Sequence, residues 1–276
     1  MTGEGTDITR DADRLERLRS AYTEVMTQPL PEPVNAVAAR MTEFVFVDVW
    51  QRPVLSRRDR RFIALSCVAA ADAEEPLRDH VYAALKSGDL SIVEMQETVL
   101  HFAVYGGWPK ASRFNMAVDE QWARIHSEQG LDVPPPAPLL PLATPSDPQA
   151  RLSLGEAAFK DINCMPVAPL RDNPYSGAGI LNFVFGEMWL RPGLGMRERR
   201  LVTVTCVAFQ DAPLPILSHV YAALKSRDLS FSELDELALH FAAHYGWPKA
   251  SHLSQVIAEQ QQRVLTEWAA EGASSG

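Results

Sequence analysis

Four of the chain's seven histidines form two pairs with one spacing: His80 and His219 in the phrase HVYAALKS, His101 and His240 in LHFA, each pair 139 residues apart. Imidazole is the side chain whose ordinary pKa lets it act as acid and as base near neutrality, so proton transfer is the chemistry these positions suggest. Glu97 precedes His101 by four residues and Glu236 precedes His240 by four. On a helix, a carboxylate at that spacing can hold the ring in one orientation and leave its other nitrogen to give or take a proton; the same spacing also suits a plain surface pair. Tyr105 and His244 stand one turn further on, and with Glu94 and Glu233 they complete a polar stripe about 60° wide on an otherwise apolar helix. Glu236, His240 and His244 also have metal-ligand spacing, but Tyr105 replaces His244 in the other copy and no third ligand is evident, so no metal is expected.

Arginines cluster at Arg52, Arg57, Arg58, Arg60 and Arg61, and again at Arg191, Arg197, Arg199 and Arg200. At a helix start they oppose the macrodipole, so each cluster calls for carboxylate partners within the chain or for an anionic ligand, with Arg58 and Arg197 as candidates to hold a substrate carboxylate. A glycine-rich phosphate loop, a serine nucleophile elbow and a C-x-x-C motif are all absent from the sequence, which leaves a dinucleotide cofactor or dithiol chemistry without support. Cys67, Cys164 and Cys206 are too few for a disulfide framework and read as small buried hydrophobes.

These residues sit in a segment that the chain contains twice. Residues 44–112 align with 183–251 without a gap, and 39 of the 69 positions are identical. A period this long is a whole folding unit rather than a solenoid repeat. Apolar residues at helical spacing predict a helix from Asp11 to Gln28 after ten unstructured residues, and another from Pro33 to Trp50. Ser56 can cap a helix running to about Ala73, and Pro76 suits the first turn of the helix that carries His80. Ser91 with Glu94, and Ser230 with Glu233, form capping boxes for the helices carrying His101 and His240. Trp108-Pro109 and Trp247-Pro248 open the last helix of each copy. In the second copy the early helices are expected at 157–165 and 176–189. Alternating β patterns are nearly absent, so the fold class is all-α, with a domain at 1–131, a proline-rich linker at 132–150 and a second domain at 151–276.

The chain has 46% hydrophobic and 22% charged residues, a net charge of -9 and a pI near 5.3. That balance is globular and argues against a nucleic-acid partner. No apolar run approaches the roughly 18 residues of a membrane span, and the amino terminus lacks a signal-peptide core, so a cytoplasmic protein without a membrane partner is expected.

The phrases WQRPVLSRRDRRFIAL and WLRPGLGMRERRLVTV, each followed by HVYAAL, E-x-x-E and a GWPKA segment, resemble the γ-carboxymuconolactone decarboxylase family, relatives of the alkylhydroperoxidase AhpD. The resemblance covers nearly the whole chain as two domains in tandem. It implies an AhpD-like helical bundle, cofactor-free decarboxylation, and an active-site histidine at His80 and His219. The glutamate that often precedes that histidine falls on Glu75 in the first half and on Leu214 in the second. The redox branch's C-x-x-C positions fall on Ala73 and Pro76, or Ala212 and Pro215, and its glutamate falls on Arg61 and Arg200, so thiol peroxidase activity is not expected. The family's Y-A-G-V-P becomes Tyr105-Gly-Gly-Trp-Pro and His244-Tyr-Gly-Trp-Pro, which brings Trp108 and Trp247 into a candidate substrate pocket with Tyr105, His244 and Glu75.

The resulting expectation is a lyase acting on a small carboxylated or lactone-like compound. His80 and His219 would be general acid/bases, with Glu97–His101 and Glu236–His240 as orienting or relay pairs. An isomerase or cyclase of specialised metabolism, or a catalytically silent ligand-binding or scaffold protein, are the alternatives. Family rings of six single domains imply a homo-oligomer, three tandem chains being enough.

Overall fold

The computed structural model describes residues 5–32, 35–135 and 138–274. The architecture is all-helical, with no strand among the described residues. The first half consists of α1 (Gly5–Met26), α2 (Ala36–Glu43), a π-helical segment (Phe44–Val49), α3 (Arg57–Ala70), α4 (Glu74–Lys86), α5 (Ile92–Gly106) and α6 (Trp108–Glu128). The second half repeats this order with α7 (Pro148–Ile162), a π-helical segment (Tyr175–Phe185), a 3-10 turn (Met188–Leu190), α8 (Met196–Gln210), α9 (Pro213–Lys225), α10 (Phe231–Tyr245) and α11 (Trp247–Ser274).

The local signals that start these helices act as their chemistry requires. Ser56, Ser91 and Ser230 each accept from the backbone three residues on, and Asp59, Glu94 and Glu233 reach back to complete the box. At the sharp corner between the fifth and sixth helices of each half the backbone turns at Gly107 (φ 87°) and Gly246 (φ 109°), a region that side chains disfavour. Several boundaries differ from the sequence expectation. The helix expected at 176–189 is a π-helix over Tyr175–Phe185 followed by a 3-10 turn at Met188–Leu190. Helix α1 starts at Gly5, because the apolar period marks where packing begins and no glycine or proline interrupts the polar turns before it. The 33–50 segment is a short α-helix that widens into a π-helix, its first residues, 33–34, lying outside the described ones. Helix α3 ends at Ala70. Helix α7 begins inside the expected linker, where the Asp147 carboxylate caps the Ala150 N–H at 2.7 Å and Pro148 occupies the first turn.

The two halves share one core. Helices α3 and α8 pack on each other at the centre, α10 of the second half lies on α3 of the first, and α5 of the first lies on α8 of the second. Phe62, Leu65, Leu201 and Val204 are fully buried in this common cluster. Cross-half contacts are reciprocal, as an approximate two-fold axis demands. Arg58 reaches Glu198 at 3.5 Å, while Arg197 holds Asp59 at 3.0 and 3.1 Å. Arg58 also binds Glu94 and Arg197 binds Glu233, each at 2.6 Å. The helix-start arginines therefore answer the acidic residues of both halves.

Helix α7 crosses its π-helical neighbour at Gly155, where an added Cβ would stand 1.7 Å from the Leu181 carbonyl oxygen. Backbone cannot rotate out of the way. Gly155→Ala should lower stability by about 1–3 kcal/mol, the usual cost of overpacking. Gly272→Ala, with nothing within 4 Å of the new carbon, should be neutral or slightly stabilising because it removes a helical glycine. Thermal melts of the two variants check the pair, and equal melting temperatures would refute the close crossing.

Candidate active site

The candidate residues gather at two composite sites, each built from both halves. At the first, Trp50, Arg52 and Arg60 and the α4 residue His80 face Glu236, His240 and His244 of α10. The Trp50 ring lies 6.0 Å from His80, 4.9 Å from His240 and 6.4 Å from His244; His80 and His244 are 5.8 Å apart, and His240 and His244 4.5 Å. At the second, Trp189, Arg191 and Arg199 and the α9 residue His219 face Glu97, His101 and Tyr105 of α5. There Trp189 stacks 6.0 Å from His219 and meets His101 edge-on at 4.8 Å, and the Tyr105 ring lies 5.4 Å from His219.

The glutamates do not orient the histidines four residues after them. Glu97 binds Arg191 through both oxygens, at 2.7 and 2.8 Å, and Glu236 takes Arg52 at 2.6 Å and Arg60 at 3.0 Å. The rings are oriented instead by arginines from the facing helix: Arg60 Nη1 stands 3.4 Å from His240 Nδ1 and Arg199 Nη1 3.2 Å from His101 Nδ1. A guanidinium can only donate, so Nδ1 of each ring is the acceptor and the ring hydrogen resides on Nε2. In His244, Nδ1 lies 2.9 Å from the His240 carbonyl oxygen, which can only accept, so Nδ1 carries the hydrogen and the neutral ring presents a bare Nε2.

This assignment separates the two sites. At the second, His101 Nε2–H donates to Thr203 Oγ1 at 2.8 Å and Trp189 Nε1–H donates to the Tyr105 hydroxyl at 2.8 Å. At the first, Ala64 stands at the repeat position of Thr203 and His244 at that of Tyr105. His240 Nε2, Trp50 Nε1, His244 Nε2 and His80 Nδ1 are shielded and find no partner among the described residues. Two donors and one acceptor thus converge where a ligand or water must meet them. Arg52, its side chain 47% exposed, is the most accessible cation of that cluster, whereas its counterpart Arg191 is 4% exposed.

Several candidates take other places. Arg58 and Arg197 are consumed in the belt between halves, away from the histidines. Glu75 is exposed on the first turn of α4, and its charge bears on Asp79. Trp108 and Trp247 are 72% and 60% exposed, so proline-flanked helix starts, not pocket walls, explain their position. Sequence reasoning passed over Trp50, Trp189, Arg60 and Arg199 as site residues, although the W-x-R-P and R-R phrases signalled them. Among the described residues no group of three or more histidines, cysteines or acids is arranged to hold a metal. Cys67 and Cys206 are fully buried, and burial pushes both thiols up.

A cavity of about 820 Å³ opens beside the second site, with Tyr105 and His219 in its wall.

Family patterns match the chain twice, at residues 35–120 and 174–259, both to the carboxymuconolactone decarboxylase family. The matches cover more than half of the chain, and their starts are separated by the repeat period. The chain belongs to this family, as two domains in tandem. It is 38% identical over 106 residues to the nitrosuccinic acid decarboxylase npaB of Metarhizium robertsii, spanning 38% of this chain and 70% of that protein. It is 31% identical over 72 residues to the 4-carboxymuconolactone decarboxylase of Acinetobacter baylyi, spanning 26% of this chain and 53% of that protein. Among the described residues no helix is long and apolar enough to cross a membrane.

Burial depresses the pKa of His80, His101, His240 and His244, with help at the first three from neighbouring imidazole or guanidinium charge, and it lowers His219 to about 3 with help from Arg200. The unfolded chain takes up these protons near pH 6.5 while the native protein refuses them, so stability is fully present above that pH and declines as pH falls toward the native pKa values. Melting temperature should be level above about pH 7 and fall steadily between about pH 6.5 and 3, faster below pH 4.5 as paired carboxylates add their share. His219→Phe should soften the slope. A stability maximum near pH 5 would contradict it.

Thiol reactivity offers a separate check. An aromatic disulfide, dithiobis(nitrobenzoate), at neutral pH should titrate no thiol of the native protein beyond the half-buried Cys164, with Cys67 and Cys206 appearing only on denaturation. Rapid native reaction of Cys67 would overturn this.

Proposed function

We propose that the protein is a cofactor-independent decarboxylase of a small carboxylated compound, and that its reaction belongs to the His80 site. The observation that carries this reading is the convergence of unpartnered Trp50 Nε1–H, His240 Nε2–H and bare His244 Nε2 beside Arg52 and Arg60. Loss of carbon dioxide from a carboxylate leaves an electron pair that must be delocalised into an adjacent carbonyl, nitro or lactone group and then quenched by a proton. The two N–H groups are donors for the oxygen on which that charge develops. Their orientation is fixed beforehand, His240 by Arg60 and Trp50 by packing under the Arg61 guanidinium, 5.2 Å from the ring centre. Arg52, half-exposed at the edge of the cluster, suits the incoming carboxylate.

His244 supplies the proton in this scheme. Its Nε2 carries no hydrogen in the neutral ring; a carboxylate arriving beside it favours the imidazolium, formed by uptake of a proton from solvent. After the carbon–carbon bond breaks, that proton goes to the carbon that lost carbon dioxide, and the neutral ring is restored. His80, adjacent to both Trp50 and His244, completes the wall and can share the proton. The names of the two relatives support the class: both act on carboxylated compounds, and nitrosuccinic acid and 4-carboxymuconolactone are the substrates to try first.

The test measures carbon dioxide release from these compounds by the intact chain and by His80→Ala, His244→Phe, His219→Ala and the His80/His219 double variant. Removing a general acid/base should cost roughly 10² to 10⁴ in turnover, and His80→Ala and His244→Phe should fall in that range with melting temperatures little changed. His219→Ala should lose far less. Full activity in the double variant would end the proposal for either histidine, and equal losses in the two single variants would move the reaction out of the His80 site alone.

A further inference from the structure

The second site differs from the first in what surrounds it as well as in its hydrogen bonds. Its cavity, about 820 Å³, is walled largely by apolar side chains, among them Phe159, Ile180, Leu214 and Leu217. In the gapless repeat, Leu214, Leu217 and Ser218 replace Glu75, Arg78 and Asp79 of the first half, so three polar or charged groups at the start of the histidine-bearing helix give way to two leucines and a serine. Leu214 is 76% exposed at the rim. The cations nearby are already committed. Arg191 is held by Glu97, Arg200 by Asp228 at 2.9 Å, and Arg199 by the Met188 and Arg191 carbonyls. Arg263, in the cavity wall, lies 3.9 Å over the Tyr221 ring and pairs with Glu267. Among the described lining residues Arg263 is the one arginine or lysine, and its charge is answered by Glu267.

Two residues of the wall, 6% and 8% exposed, each carry a buried polar atom without a partner among the described residues: His219 Nδ1 and Gln260 Oε1. A mainly apolar cavity of several hundred Å³ with a few convergent, unpaired polar atoms is the form of a small-molecule site. We infer that the His219 cavity binds an uncharged, mainly apolar small molecule that hydrogen-bonds to His219 and Gln260, a ligand of different class from the carboxylate handled at the His80 site. The assignment leans on the proposed function only in leaving the reaction to His80. Burial and Arg200 keep His219 neutral, at about 3, so the ring meets its ligand without charge at any physiological pH.

The probe is N-phenyl-1-naphthylamine, neutral and fluorescent in apolar surroundings, with 1-anilinonaphthalene-8-sulfonate as the same ring system bearing an anion. Titrated into the intact chain, the neutral dye should saturate at one molecule per chain and bind at least about tenfold more tightly than the sulfonate. The double variant Leu214→Glu/Leu217→Arg, which restores residues of the first half at a half-exposed helix start, should weaken the neutral dye by about tenfold or more; Leu214→Glu alone, at the exposed rim, should weaken it in the same direction. His80→Ala should leave dye binding unchanged, whatever happens to turnover. Absence of saturable binding, equal affinity for both dyes, or undiminished binding in both leucine variants would overturn the assignment. Because the readout is binding, failure of the decarboxylase reading leaves this result interpretable, and the reverse also holds.

Discussion

The structure depends on a buried guanidinium that crosses between the halves. Arg60 leaves the first half to meet Glu236 and His240 of the second, and Arg199 makes the reciprocal crossing to His101. Both side chains are essentially inaccessible to water. A charge placed there is tolerable only if its hydrogen bonds are met, and removing one partner of such a pair typically costs about 3–5 kcal/mol. Carbonyl oxygens of Arg52, Met188 and Arg191 fill much of the remaining demand. The halves are therefore not two domains that happen to touch. Each completes the coordination of the other's arginine, and the ring that accepts from it is locked in one tautomer as a consequence.

That dependence explains how much the sequence disclosed. The repeat, the all-α class, the family and the capping boxes are local properties of the chain, and they were legible because serine-x-x-glutamate or an apolar period acts on neighbours along one helix. The paired positions of His80 and His219, and of His101 and His240, which the structure gathers at two composite sites, were legible for the same reason. Their partners were not. The i,i+4 glutamates invited a pairing within the helix, but arginines of the other half, more than 90 residues away in sequence, take the carboxylates and hold the rings. Arg58 looked as suitable a carboxylate ligand as any, and only the fold shows its charge already answered, by Glu94 at 2.6 Å and by Glu198 of the other half at 3.5 Å. Thr203 and Ala64, the residues that decide whether an imidazole N–H is occupied, have no signature at all; each is an ordinary core residue of its helix, buried among apolar neighbours.

Joining the halves in one chain has a chemical consequence. In a ring of identical subunits every site repeats every other, so a substitution that helps one alters all. Here α5 serves only the His219 site and α10 only the His80 site. Tyr105 and His244 could therefore diverge separately, as could Thr203 and Ala64, although each pair occupies one position of the repeat. The divergence is concerted. Where Thr203 and Tyr105 quench the donors of His101 and Trp189, the adjoining helix start is apolar; where Ala64 and His244 leave the donors of His240 and Trp50 open, the adjoining start is charged. At the His219 site the His101 and Trp189 donors are met within the protein, while the site keeps the volume and the largely apolar wall. At the site with open donors, the other half supplies the two histidines of α10, His240 and His244, that lie against Trp50. Each half thus contributes side chains to both composite sites, Glu236 and His240 meeting Arg60 at one and Glu97 and His101 meeting Arg191 and Arg199 at the other.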